Sequence, residues 1–244
     1  MSIDSKYFGK FCKSVEMGAI GAFKFIGKND KIAADQCAVD FMRKELNKIE
    51  MKGKIVIGEG EMDKAPMLYI GEELGNGKGQ NLDIAVDPLE GTNFVAKNLP
   101  NSFSVIAVTE KGNMFSAPDT YMEKIAIGKN LPSKLVDLDF SVKKNIQNLA
   151  DAKKTEPSKL TACVLKRPRH MKIIEELEKM KVNIKFISDG DVYGAISVAE
   201  DNSPIDIYMG IGGAPEGVLS AAALCCLEGQ IQTRLVLENN QIDR

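Results

Sequence analysis

The stretch Leu82–Thr92, LDIAVDPLEGT, limits what this chain can fold into more than any other. An apolar run, Leu82–Val86, ends at Asp87, and Pro88 then has no N–H to give a neighbouring strand. The pattern predicts a buried strand that stops at Asp87 and delivers Asp87, Glu90 and the Thr92 hydroxyl into a tight loop. Carboxylates held in such a place are costly unless a cation neutralises them. More acids sit beside glycines elsewhere: Glu59 and Glu61 in GEGE, Asp189 and Asp191 in DGD, and Glu216 in GGAPEG.

With 244 residues the chain has length for one large domain or two small ones. A net charge of -2 gives no basic field, which excludes nucleic acid and an acidic membrane surface as expected partners. The longest apolar stretches, such as Val218–Leu227, are too short for a bilayer, and Met1–Ile26 carries charges throughout, unlike a signal peptide. Five cysteines without a CxxC pattern read as reduced thiols of a cytoplasmic protein. A single histidine, His170, argues against a His-rich zinc site and favours oxygen ligands for a hard cation.

Hydrophobic periodicity predicts helices at Ile3–Phe25 and Lys31–Ile49, the second capped by Asp30. Lys31 and Asp35 then share one side of that helix's first turn, as a surface ion pair or as part of a site. Strands are expected at Lys54–Ile57, Leu82–Val86, Ser104–Val108 and Lys124–Ile127, with a helix at Pro66–Gly75 and a hairpin-like turn at Glu110–Asn113. The polar segment Lys129–Ser141 suggests a boundary between halves. Beyond it, helices at Val142–Ala152, Met171–Met180, Val192–Ala199 and Pro215–Leu227 alternate with strands at Leu160–Leu165, Asn183–Ile187 and Ile205–Met209. A strand-like Gln230–Leu237 follows. Such alternation implies an α/β fold with a parallel or mixed sheet covered by helices.

Ligands of open α/β sheets gather outside the carboxyl ends of strands. Four strands here end in acid, glycine or both: KIVI into GEGE, LDIAV into DPLEGT, NIKFI into SDGD, and DIYM into GIGGAPEG. Carboxylate oxygens suit magnesium or manganese, and a pair of such ions can activate a water and stabilise the departing oxygen of a phosphate ester. Thr92 is placed to orient that water. Glycine-rich turns and helix N-termini offer N–H groups to phosphate oxygens. Glu216 reads equally as a carboxylate favoured by the start of its helix. Lys166–His170, KRPRH, is either a phosphate-binding turn or a solvated basic one, and His170 is read as a helix-start residue.

Taken in order, GEGEMDKAPMLYIGE, DIAVDPLEGT, APDTYMEKIAIG, RPRH, SDGD and GIGGAPEG resemble the class II fructose-1,6-bisphosphatases of bacteria, within the lithium-sensitive metal-dependent phosphatases. The resemblance runs from about residue 5 to about residue 235. It implies an α-β-α-β-α sandwich, divided into a metal-binding part at 1–140 and a sugar-phosphate part at 141–244. It matches Asp35 and Glu59 to the ligands of one metal, and Asp87, Glu90 and Glu216 to those of another, the cofactor being Mn2+ or Mg2+ with two or more ions. Thr92, Glu59, Asp35 and Lys31 match the catalytic set. Glu90, Gly91 and Thr92 match the turn on the reacting phosphate, and Tyr121, Arg167, Pro168, Arg169, Asp189, Gly190, Asp191 and Gly213 match the sugar-phosphate site. Arg167 stands where some relatives have lysine, and the charge is kept. The resemblance further implies a sugar bisphosphate substrate, a homo-oligomer (dimer or tetramer), and relatives that continue past the point where this chain stops, so that a fragment or a second half lacking its closing elements is expected. The implied reaction is hydrolysis of the 1-phosphate of fructose 1,6-bisphosphate in gluconeogenesis. Rivals are sedoheptulose-1,7-bisphosphatase, inositol monophosphatase, and a non-catalytic sugar-phosphate binder.

Overall fold

Two regions of internal contact divide the chain, Met1–Ala117 and Pro118–Arg244. The computed structural model describes residues 3–60 and 67–237.

In the first unit, helices α1 (Phe8–Phe23) and α2 (Lys31–Leu46) pack on a four-stranded sheet. Its strands are β1 (Lys52–Ile57), β2 (Glu73–Leu74), β3 (Asn81–Glu90) and β4 (Phe103–Glu110), in the order β2-β1-β3-β4. β1 and β3 run parallel, while β2 and β4 are antiparallel to their neighbours. The core joins Tyr7, Phe11, Val39, Met42 and Leu46 from the helical side to Ile55, Leu82, Ile84 and Val86 from the strands. Asp30 caps α2 as expected, its carboxylate accepting the Ala33 N–H at 3.0 Å. A short helix, α3 (Thr92–Ala96), follows Gly91, whose φ of +75° lies in the left-handed region.

Three expectations are corrected in this unit. The strand at Leu82 does not stop at Asp87: it runs on to Glu90, with a register shift that absorbs Pro88 and Leu89. No helix forms over residues 67–75; Pro66 lies outside the described residues, as does Glu61. Leu68 and Gly71 take positive φ there, and Glu72 accepts the Leu68 N–H while pairing with Arg43 at 2.5 Å, folding the segment back along β1. The turn at Glu110–Asn113 does not close a hairpin, because β4 and the next strand belong to different sheets.

The second unit holds β5 (Tyr121–Ile127), α4 (Val142–Ala152), β6 (Thr161–Leu165), α5 (Met171–Lys179), β7 (Asn183–Ile187), α6 (Asp191–Ile196), β8 (Ile207–Gly213), α7 (Ala214–Cys226) and β9 (Gln230–Val236). Its sheet has the order β7-β6-β8-β5-β9. β6, β7 and β8 are parallel, and β5 runs antiparallel to both β8 and β9, so the sheet is mixed. One face packs Ile125, Ile127 and Val164 on Ile146 and Leu149 of α4 and Ile174 and Leu177 of α5. The other packs Ala126, Cys163 and Tyr208 on Ala195 of α6 and Leu224 of α7. Segment Lys129–Ser141 lies within this unit, since β5, which precedes it, is hydrogen-bonded into the middle of the sheet. A helix-sheet pair in the first unit and a helix-sheet-helix stack in the second match in number and kind the layers of an α-β-α-β-α sandwich. No helix among the described residues is long and apolar enough to cross a membrane.

The Asp30 cap anchors the helix that carries Lys31 and Asp35. Replacing it, Asp30→Ala, is expected to lower unfolding stability by about 1 kcal/mol; an unchanged urea midpoint would show that the cap contributes nothing.

Candidate active-site residues

In a regular strand, residues three apart face opposite sides of the sheet. Asp87 pairs with Val105 and Glu90 with Phe103, so β3 spends one more residue than β4 across this interval. That extra residue brings Asp87 and Glu90 to the same face, beside Val105 and Phe103. Asp87 is half-buried, and one of its oxygens accepts the Leu89 N–H at 3.0 Å, which fixes the loop. Glu90 is buried. Gly91 cannot be replaced cheaply: a Cβ there would lie 2.7 Å from the Phe94 ring, on top of the left-handed φ. Thr92 begins α3 immediately after this turn.

Glu59 leaves the carboxyl end of β1, parallel to β3 and hence at the same end of the sheet. The glycines around it serve close approach of backbone to backbone. A Cβ on Gly58 would stand 2.0 Å from the Leu68 carbonyl, and Gly60 has φ +129°. Asp35 belongs to α2, whose Ala34 and Ala38 pack with Leu89 and Val95 of the DPLEGT turn and α3. That packing carries the first turns of α2 to this end of the unit. Burial raises the Asp35 carboxyl above the usual carboxylate range, and the exposed Lys31 does not offset it. Among the described residues, no three His, Cys, Asp or Glu side chains stand close enough to hold one ion; Asp87 and Glu90 share β3, while Glu59 and Asp35 each come from another element.

The second unit follows the same rule. The carboxyl ends of parallel β6, β7 and β8 lead into Arg167, Asp189 and Gly213, and antiparallel β5 brings Tyr121 to that end, opposite Gly213. The RPRH turn is tied to β8 through a single residue. Arg169 Nε donates to the Ile211 carbonyl at 3.0 Å, and the Ile211 N–H donates to His170 Nε2 at 2.8 Å. With Nε2 accepting, His170 Nδ1 carries the proton and donates to Leu165 O at 2.7 Å. The Arg169 guanidinium lies 4.9 Å from the centre of the Tyr121 ring, a cation–π contact that orients it. His170 is therefore a buried tie between the ends of β6 and β8. Arg167 is half-buried and Pro168 exposed.

Asp191 opens α6 after left-handed Gly190 (φ +74°) and is buried. Its Oδ2 meets Lys124 Nζ at 2.5 Å. Glu216, in the first turn of α7, has an Oε2 that is buried without a hydrogen-bond partner. Burial, then the charge of Asp191, raises its carboxyl above the usual range, with Lys124 opposing. Lys124 was not singled out in the sequence, although it alternates with buried Met122 and Ala126 along β5, a charge on the side of a strand that should be apolar.

A model of the bacterial fructose-1,6-bisphosphatase family, glpX-encoded, matches residues 5–244. The chain belongs to this family. It is 43% identical over 231 residues to a fructose-1,6-bisphosphatase 1 class 2 from Escherichia coli, covering 95% of this chain and 68% of that protein. It is 44% identical over 248 residues to a D-fructose 1,6-bisphosphatase class 2/sedoheptulose 1,7-bisphosphatase from Synechocystis, covering 97% and 72%. Membership in this fructose-1,6-bisphosphatase family implies a divalent metal cofactor. Two carboxylates of the chain suit one: Glu216, with its orphaned buried oxygen, and Asp35, raised by burial without a compensating cation.

Burial pushes His170 below the usual histidine value. The unfolded chain then takes up a proton, as pH falls through about 6.5, before the folded chain does, so acid destabilises the fold in that window. The urea midpoint of the wild type should fall more steeply between pH 7.5 and 5.5 than that of His170→Gln; parallel slopes would mean that His170 does not titrate in this way.

Proposed function

We propose that the chain hydrolyses the 1-phosphate of fructose 1,6-bisphosphate to fructose 6-phosphate and phosphate, in gluconeogenesis and in the cytoplasm. Family membership carries the reading, and the convergence of Asp35, Glu59, Asp87, Glu90 and Thr92 on one end of the first unit's sheet supports it. The cytoplasmic placement is supported by five free thiols. We assign Asp35 and Glu59 to one ion and Asp87 and Glu90 to another, the ions being Mg2+ or Mn2+, with Glu216 a further candidate ligand. Such ions, when bound, neutralise phosphate charge and lower the pKa of a coordinated water.

The remaining work belongs to the chain. The Thr92 hydroxyl orients the attacking water, and Lys31, at the start of α2, supplies a positive charge beside the acids. The N–H groups after Gly91 offer donors to the phosphate oxygens. In the second unit Arg169, held over Tyr121, takes the phosphate that is not cleaved, with Arg167 beside it, while the Asp189–Asp191 turn and Gly213 take the sugar. A guanidinium whose Nε is fixed by Ile211 keeps its outer N–H groups in a defined plane, which suits a phosphate.

A second reading is favoured by the double name of the Synechocystis relative. Sedoheptulose 1,7-bisphosphate is one carbon longer, and a difference of that size is discriminated weakly. A substrate panel with an EDTA control tests both. Phosphate release from one or both bisphosphates, abolished by EDTA, is expected; binding without turnover would make the chain a sensor.

Two substitutions probe the assignments. Asp87→Asn should cut turnover by at least about 100-fold, more than the loss of a group that only supports a ligand; near-normal activity at saturating Mg2+ would remove Asp87 from the site. Arg169→Ala should raise KM for the bisphosphate about tenfold or more while sparing 4-nitrophenyl phosphate. An equal effect on both substrates would argue against contact with the sugar phosphate.

A further inference from the structure

Lys124 is fully buried in β5, and its ammonium meets Asp191 at 2.5 Å. The Asp191 Oδ2 also lies 3.4 Å from the buried Tyr208 hydroxyl. Space for this pair is carved by glycines. A Cβ on Gly212 would stand 1.9 Å from Asp191 Oδ2, and one on Gly217 would stand 3.2 Å from Lys124 Cε. Gly213 does the same for Glu216, whose Oε2 would lie 2.0 Å from an added Cβ. The GIGGAPEG segment thus gives up side chains at three positions that face the charged groups of β5, α6 and α7.

A buried ion pair is a poor way to gain stability, because desolvation offsets the attraction and an apolar pair would pack as well. What the pair does supply is direction. Asp191 is the residue that ends the left-handed turn at Gly190, and the ammonium holds it from a strand in the middle of the sheet. The geometry points to Lys124 as a positioning residue of the sugar-phosphate half: it pins Asp191, and with it the Asp189-Gly190 turn, in the conformation that receives the sugar. This rests on the phosphatase reading above and adds to it a residue that touches neither substrate nor metal.

The test separates positioning from mere stability. Lys124→Met and Lys124→Gln are assayed at saturating Mn2+, at a temperature where circular dichroism shows each variant folded. Glutamine keeps an N–H donor for Asp191 without the charge. For Lys124→Met, KM for fructose 1,6-bisphosphate is expected to rise at least tenfold, with kcat for 4-nitrophenyl phosphate within twofold of wild type. Lys124→Gln should fall between the two. If Lys124→Met does not fold, the glutamine variant decides alone, a KM rise of threefold or more being the expected result. A KM within twofold of wild type in the folded variants, or an equal loss on both substrates, overturns the positioning role and leaves the phosphatase reading intact. A wild-type chain that hydrolyses neither substrate overturns both.

Discussion

Parallel pairing is the constraint on which the rest depends. Once β1 lies parallel to β3, and β6 to β7 and β8, the carboxyl ends of those strands must open at one edge of their sheet. Antiparallel neighbours then contribute their beginnings to that same edge, as β5 does with Tyr121. Acids and bases distant in sequence are thereby collected at one end of each sheet.

Keeping charge at those edges calls for particular local devices. In the first unit a left-handed glycine and an Asx-type bond from Leu89 to Asp87 set the turn. In the second, one residue of β8, Ile211, is held at both its backbone groups, its carbonyl by Arg169 and its N–H by His170. The buried Lys124 and Asp191 balance one another, while burial and then the charge of Asp191 raise the Glu216 carboxyl against the opposing pull of Lys124. Each device costs something in folding, and each lies at the carboxyl end of a parallel strand or beside one.

Much of this was legible in the residues. The alternation of strands and helices beyond residue 141 was readable to within a few residues, because helices such as Met171–Lys179 and strands such as Asn183–Ile187 carry clear periods, although the strand expected at Ile205–Met209 runs instead from Ile207 through the glycines to Gly213. The Asp30 cap was readable from its side chain. Residues 67–75 were misread because an apolar run of that length suits helix or loop alike, and the deciding contacts, Glu72 with Arg43 and with the Leu68 N–H, are tertiary. Pro88 was read as the end of a strand, since proline cannot join a ladder; an extra residue beside it removes that objection. In the candidate site the acids were visible as motif residues, whereas Lys124 was hidden inside an apolar strand and the ties of His170 depend on β8 coming alongside.

The register shift in β3 has a consequence for how this chain tolerates change in length. Removing either Pro88 or Leu89 would leave one residue between Asp87 and Glu90, matching the one between Val105 and Phe103, so Glu90 would keep its side of the sheet while the bulge that shapes the turn disappeared. A shortening there is thus silent in the ladder and is felt only in the loop that fixes Asp87. The polar stretch between β5 and α4 has less freedom than its composition suggests: Leu131, Leu135, Val136 and Leu138 pack on the core of the second unit and Asp137 is bonded to Asn145, so a change of length there must leave those contacts in place.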